Sequence, residues 1–236
     1  MTRRRWIADE VAGNRAAITG DHARHLAKVL RARIGQEFDI STGAEVRRGR
    51  IMSMDEERVE FELGEPAPHS HGIDLGVALS IFKFDRMEWA IEKSVELGVG
   101  QILPLIAART DRRLASAAVK RVERWRRIAQ QASEQSRRLL APEIPAPIGF
   151  EELVAIPSLT RIVLSETERG RMLKDALSEP EDSILLAFGP EGGWTDGELK
   201  IFREAGWISA SLGRTILRAE TAVIAALAIA KSMIES

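Results

Sequence analysis

The stretch "SILLAFGPEGGWTDGELKIFREA", Ser183 to Ala205, joins an apolar run to a helical pattern through a glycine-rich turn. The run Ser183–Phe188 is short and almost unbroken in apolarity, as expected for a strand covered on both faces in a parallel sheet. Behind it Thr195 and Glu198 form a T-x-x-E capping box, with Trp194 placed to staple onto Leu199. The box fixes where the helix starts, and hence where Gly192 and Gly193 point their amides. A simple phosphate cradle wants bare amides and no nearby anion. Yet Glu191 sits in the turn, and the glycine spacing fits neither G-x-G-x-x-G nor G-x-x-x-x-G-K-[ST]. On its own the turn is either a structural strand–helix connection or a loop for a ligand other than phosphate.

The same texture extends on both sides. "LGVALSIF" predicts a buried strand, and a helix over Arg86–Leu97, ended by Gly98, leads to the strand "QILPLI". A long basic helix is expected over Ala117–Leu140, then "RIVLS" with "MLKDAL", and "ISASL" with a closing helix from Ala219 to Ile234. Strands alternating with helices predict a mainly parallel α/β sheet. Pro142, Pro145 and Pro147 mark a break inside this domain. The closing helix is apolar around nearly its whole circumference, so it is buried on several sides, by its own domain or by a second subunit.

Residues 1–67 read differently. "GDHARHLAKVLRARIG" predicts a helix with Asp21 as N-cap and Gly35 as its stop. The segments "EFDIS", "EVRRGRIMSM" and "RVEFEL" alternate as strands, with Phe38/Ile40 and Val59/Phe61/Leu63 on one face. This is a small β-rich unit, a compact barrel, tied by the linker "GEPAPHSHG" to a second domain over residues 73–236.

Composition narrows the chemistry. No cysteine is present, which excludes disulfides, thiolate metal sites and thiol catalysis. His22, His25, His69 and His71 lack metal-site spacing, so no metal is expected. The uncharged stretch Thr221–Ala230 is far short of a membrane span, and "MTRRRWIAD" has no apolar core behind its basic start, so a cytoplasmic protein is expected. Net charge is −1, but Arg109–Arg138 holds ten basic residues against three acids. Nearly all are arginine, suited to bidentate phosphate contact, although a solvated helix face has the same composition. A second cluster, Arg3-Arg4-Arg5, precedes Trp6, an aromatic able to stack on a base.

Ligands on parallel α/β sheets bind at the carboxyl ends of strands. Three such ends are marked here: Leu164-Ser165-Glu166, Gly189–Gly193 and Leu212–Arg218. Arg218 sits where the dipole of the closing helix disfavours a cation, which suggests either a function or a salt bridge to Glu220 or Glu191.

Together "GPEGGWTDGEL" and "LGRTILRAETA" resemble the SPOUT-class RNA methyltransferases, specifically the ribosomal RNA small subunit methyltransferase E family. "HARHLAKVLRARIGQEF" resembles that family's PUA-like domain, and "FKFDRMEWAIEKSVELGVGQILPL" and "RWRRIAQQASEQSRRLLAPEI" its middle signatures. Ala219 departs from the threonine common there, which leaves Arg218 and Glu220 as the polar pair. The resemblance implies a trefoil-knotted α/β domain behind a PUA-like barrel, a homodimer, S-adenosyl-L-methionine as cofactor, and N3-methylation of a uridine in 16S rRNA of the small ribosomal subunit. Rival readings are methylation of a ribose 2′-OH or another base, and a non-catalytic assembly factor. The implied cofactor site comprises Leu164, Ser165, Gly189, Glu191, Gly192, Gly193, Leu212, Gly213, Ile216, Leu217 and Arg218. Arg218 would stabilise the uridine anion, with Glu220 as its orienter or as a base. Arg4, Arg31, Arg109, Arg137 and Arg138 would contact RNA phosphates.

Overall fold

The structure, a computed structural model, describes residues 5–67, 74–138, 140–157, 160–178 and 183–234. The chain divides into two compact units, Met1–His71 with Ser133–Ala141, and Gly72–Ala132 with Pro142–Ser236. The short piece 133–141, which the sequence pattern assigns to the second domain, thus groups with the first.

The first unit runs β1 (Arg5–Ile7), β2 (Glu10–Ala12), β3 (Arg15–Thr19), α1 (Gly20–Arg24), β4 (Glu37–Ser41), β5 (Val46–Met54) and β6 (Arg58–Ala67). They form one six-stranded mixed sheet, ordered β1-β4-β5-β6-β3-β2, parallel at β1/β4 and antiparallel elsewhere. The alternating residues Phe38, Ile40, Val59, Phe61 and Leu63 face one core with Ile18, Leu26 and Ile51. The short strands β1 to β3 carry too few residues to show a period, and the sequence pattern missed them.

Three expectations are corrected in this unit. Trp6 is fully buried, its ring 5.9 Å from His22 and 5.8 Å from His25, so it is core and not a stacking platform. The helix begins after Thr19 with Asp21 in its first turn, continues as a π-helical turn over His25–Val29, and stops at Leu30, well before Gly35. Arg31 leaves it with φ 48°, a left-handed cap normally given to glycine. The expected linker starts later than its proline content suggests, because Gly64–Ala67 extend β6. His69 and His71 lie outside the described residues.

The second unit contains β7 (Asp74–Ser80), α2 (Phe84–Glu96), β8 (Gln101–Ile106), α3 (Arg112–Ala118) and α4 (Val122–Gln135), whose last residues belong to the first unit. It continues with β9 (Ile148–Gly149), α5 (Phe150–Ala155), β10 (Thr160–Leu164), α6 (Leu173–Ala176), β11 (Ser183–Phe188), α7 (Asp196–Glu204), β12 (Ile208–Ala210) and α8 (Ala219–Ile234). The sheet is wholly parallel, ordered β12-β10-β11-β7-β8-β9. Its strands are apolar on both faces for the expected reason. Ile184, Leu186 and Phe188 enter one core, while Leu185 and Ala187 enter the other.

The single basic helix expected over Ala117–Leu140 is instead α3, a 3₁₀ turn at Val119–Arg121, and α4, which ends at Gln135. Asp111 starts α3 by accepting from the amides of Arg113 and Leu114, at 2.8 and 3.1 Å. The closing helix has its expected bounds but is covered on one side only. Val223, Ala226, Leu227 and Ala230 are buried, whereas Thr221, Ala228 and Ser232 are exposed. Among the described residues no helix is long and apolar enough to cross a membrane, and no cluster of acids or histidines could hold a metal ion.

Gly49 gives a test of the first core. A Cβ built there would lie 2.3 Å from Ile40 Cγ1 and 3.3 Å from the Phe61 side chain. Gly49→Ala should therefore destabilise this unit by about 1–3 kcal/mol, an overpacking cost readable from urea unfolding.

Candidate functional site

The three strand ends singled out by sequence meet in one place. β12, β10 and β11 are neighbours, and the segments after them enclose a cavity of ≈ 390 Å³. Leu164, Ser165, Gly189, Glu191, Gly193, Leu212, Gly213, Ile216, Leu217 and Arg218 all line it. Gly192 does not line it. Its carbonyl instead accepts from Arg109 Nη1 at 2.8 Å, and a Cβ at Gly192 would rest in ordinary contact with the Arg109 side chain.

The loop after β11 is held from several directions. Gly193, at φ 69°, closes a turn by donating to the Pro190 carbonyl at 2.8 Å. The backbone conformation requires glycine, and a Cβ there would also displace the carboxylate end of the Glu166 side chain. Trp194 donates from Nε1 to the Leu164 carbonyl at 2.9 Å and packs its ring 5.0 Å from that of Phe202. The capping box forms as expected. Thr195 Oγ1 accepts from the Glu198 amide at 3.1 Å, and Glu198 Oε2 accepts from the Thr195 amide at 2.8 Å. Glu198 Oε1 then accepts from the Ala108 amide at 2.8 Å, a tie the sequence did not reveal.

The second glycine that matters is Gly213, at φ 129°, with open space where a Cβ would stand. Ser211 shapes this loop, its hydroxyl accepting from the Gly213 amide and donating to the Gly213 carbonyl, both at 3.1 Å. Ile216 is 83% exposed although it lines the cavity, which leaves an apolar side chain in water for a ligand to cover.

The charges are arranged differently from the sequence expectation. Neither Glu191 nor Glu220 pairs with Arg218. Both pair with Arg86, in the first turn of α2: Nη1 is 3.6 Å from Glu191 Oε1, and Nε is 3.7 Å from Glu220 Oε1. Glu220 is buried beside it, while Arg218 is exposed on the cavity wall and makes no ion pair among the described residues. Arg86 and Glu166, both on the cavity wall, were missed as site residues. The signal that drew attention to Arg218, a cation at the wrong end of a helix, was equally present at Arg86.

The basic segment also separates into two groups. Arg109 spends Nη1 on the carbonyls of Gly192 and Trp194, Arg124 chelates Glu88 at 2.7 and 2.8 Å, and Arg126 bonds Glu123 and the Ile144 carbonyl. Arg112, Arg113, Lys120 and Arg127 are exposed and make no ion pair among the described residues. In the first unit Arg31 and Arg137 are exposed, and they are the non-glycine residues with positive φ, 48° and 61°. Burial pushes the Arg138 guanidinium below its usual value, so it is the least accessible of the set. Arg4 lies outside the described residues.

A cavity at the carboxyl ends of adjacent parallel strands, floored by glycine turns and walled by apolar side chains, is a nucleotide-type site. Family comparison gives the class: an RNA methyltransferase domain matches residues 69–231 and an RNA methyltransferase PUA domain matches residues 18–64. The chain is 33% identical over 231 residues to the ribosomal RNA small subunit methyltransferase E of a Synechocystis strain, covering 93% of this chain and 73% of that protein. It is 34% identical over 148 residues to that of Mesomycoplasma hyopneumoniae, covering 63% of this chain and 65% of the relative. A crystal structure of the Neisseria gonorrhoeae ribosomal RNA small subunit methyltransferase E bound to S-adenosyl methionine superposes with a TM-score of 0.87 at 32% identity, covering 98% of each chain. The chain belongs to the ribosomal RNA small subunit methyltransferase E family.

Glu198 is the buried group on which the loop geometry rests, and two variants test its rank. Glu198→Ala should lower stability by about 2–4 kcal/mol, because three donors lose a charged acceptor. Thr195→Ala removes the cap and one of the three donors to Glu198, leaves the other two in place, and should cost about 1 kcal/mol. Chemical denaturation that finds equal losses would contradict this order.

Proposed function

We propose that this protein methylates N3 of a uridine in the 16S rRNA of the small ribosomal subunit, with S-adenosyl-L-methionine as donor, as a cytoplasmic homodimer. The observation that carries the reading is the cavity between the β10, β11 and β12 ends, with Arg218 on its wall. Its chemistry suits this donor. Leu164, Phe188, Leu212, Ile216 and Leu217 supply apolar walls for a flat purine, and Glu166 and Glu191 supply acceptors for hydroxyl groups and a cation. The N. gonorrhoeae relative with S-adenosyl methionine bound supports the same assignment.

When bound, the cofactor supplies an electrophilic methyl group on a cationic sulfonium. The chain must then align a uridine N3 with that methyl group and favour its deprotonated form. Arg218 is free to donate to O2 or O4 of the base, stabilising the developing negative charge without accepting a proton. Glu220 is buried and pairs with Arg86, so any influence it has on Arg218 or on the base is exerted from beside that pair. The N3 proton leaves to solvent.

The rRNA is held through phosphates. In the first unit Arg31 and Arg137 carry backbone strain at exposed positions, a pattern that suits contact residues. In the second unit Arg112, Arg113, Lys120 and Arg127 leave their charges uncommitted among the described residues. Arg109 acts chiefly as a clamp on the loop after β11. The exposed small residues Thr221, Ala228 and Ser232 on α8 support a second copy packing closely along that face.

The experiment on function combines product analysis with one variant. Purified protein, small-subunit rRNA or subunits and the donor should yield 3-methyluridine on nucleoside digestion. A ribose-methylated product would overturn the assignment. Arg218→Lys should keep donor affinity within a few-fold while turnover falls about 100-fold. Single-turnover rates from about pH 6.5 to 9.5 should recover part of that loss as hydroxide removes the N3 proton. Parallel loss of affinity and rate would remove Arg218 from the chemistry. Separately, Ala228→Glu should convert the dimer to monomer in sedimentation velocity, because it places a charge on a desolvated helix face.

A further inference from the structure

Arg86 meets its carboxylates less closely than the tight arginine–carboxylate pairs of this protein do, at a length shared by Arg47, Arg48 and Arg121 but here from a cavity wall and toward two carboxylates. Arg124 grips Glu88 bidentately at 2.7 and 2.8 Å, and Arg58 grips Glu10 at 2.9 and 3.1 Å. Arg86 faces Glu191 and Glu220 at 3.6 and 3.7 Å and makes no hydrogen bond among the described residues. Its side chain is about one-third exposed, 32%, so contacts of this length contribute little to stability. What it does supply is a positive charge on the cavity wall, set against two carboxylates from different elements: the loop after β11 and the first turn of α8.

Without that charge the wall would carry Glu166 and Glu191, with Glu220 beside them, against Arg218 alone. Such a site would grip a cation tightly, and the grip would oppose the reaction. In the transfer the N3 lone pair of the uridine anion forms the new N–C bond. The C–S bond breaks, sulfur keeps that electron pair, and the N3 proton has gone to water. One positive and one negative charge cancel as the methyl group moves. Binding energy directed at the sulfonium charge is therefore lost at the transition state, and raises the barrier.

We propose that Arg86 sets the preference of the site for the sulfonium over the uncharged thioether left after transfer, by offsetting Glu191 and Glu220. The proposal rests on the methyltransferase reading above. Arg86 is a positioning and charge-balancing residue that keeps the ground state from being held too firmly, and it lets the donor and its spent form exchange at comparable affinity.

The test is calorimetric, with S-adenosylmethionine and S-adenosylhomocysteine titrated separately into the full-length protein. These ligands share everything but the methyl group and the sulfonium charge, so the ratio of their dissociation constants isolates that charge. Arg86→Gln should raise the preference for S-adenosylmethionine about three- to tenfold, the scale of one unit charge several ångströms away at an intermediate effective dielectric. Arg86→Lys, which keeps the charge, should leave the ratio near wild type. Glu191→Gln, at an exposed position, should shift it the opposite way, and this keeps the proposal testable if Arg86→Gln folds poorly. With rRNA, Arg86→Gln should lower kcat about tenfold with no rise in the donor KM. A merely structural Arg86 predicts weaker binding of both ligands in proportion, an unchanged ratio and a raised KM, and that outcome would overturn the proposal alone. Failure of the wild-type protein to bind either ligand would overturn the functional reading, and this inference with it.

Discussion

One buried carboxylate organises the end of the sheet where the cavity lies. Glu198 accepts from the Thr195 amide and hydroxyl through one oxygen and from the Ala108 amide through the other. It thereby joins the start of α7 to the segment after β8, and it fixes the exit angle of the loop after β11. Arg109, next along the chain, completes the clamp by donating to the carbonyls of Gly192 and Trp194. A carboxylate this deeply buried is retained only when its acceptor sites are filled. The price of that arrangement is a rigid loop, and rigidity is what a preorganised site requires.

From that fixed edge the cavity follows. Trp194 ties the loop to the Leu164 carbonyl, so the ends of β10 and β11 cannot separate without losing a buried hydrogen bond. Gly193 and Gly213 adopt conformations that side chains resist, and so bring backbone to the cavity where other residues could not. The cations are then placed in two ways. Arg218 stands free on the wall, and Arg86 stands opposite two carboxylates. The site is thus not simply acidic or basic. It holds a pattern of charge that suits a reaction in which charge disappears.

The basic segment shows how composition overstates an interface. Ten basic residues between Arg109 and Arg138 read as one electropositive face. In the fold several are consumed internally, by Glu88, by Glu123 and by backbone carbonyls. Arginine serves both purposes because its five donors satisfy a carbonyl, a carboxylate or a phosphate equally well. Only the three-dimensional arrangement tells which arginines remain for RNA.

The sequence alone determined the parallel α/β unit, the capping box at Thr195, the bounds of α8 and the three strand ends that meet in the cavity. Those features rest on local physics: unbroken apolarity in strands buried on both faces, a cap that bonds its own first turn, and glycine where φ is positive. What the sequence misjudged was set by partners distant along the chain. Trp6 looked like a stacking surface, but it is buried with its ring against His22 and His25. The first helix stopped early at a strained arginine instead of its glycine. The pairing of Glu191 and Glu220 was left open in the sequence, and the fold gave both to Arg86, more than one hundred residues upstream of either. Period and propensity act over a few residues, whereas an ion pair across three elements exists only once those elements have packed.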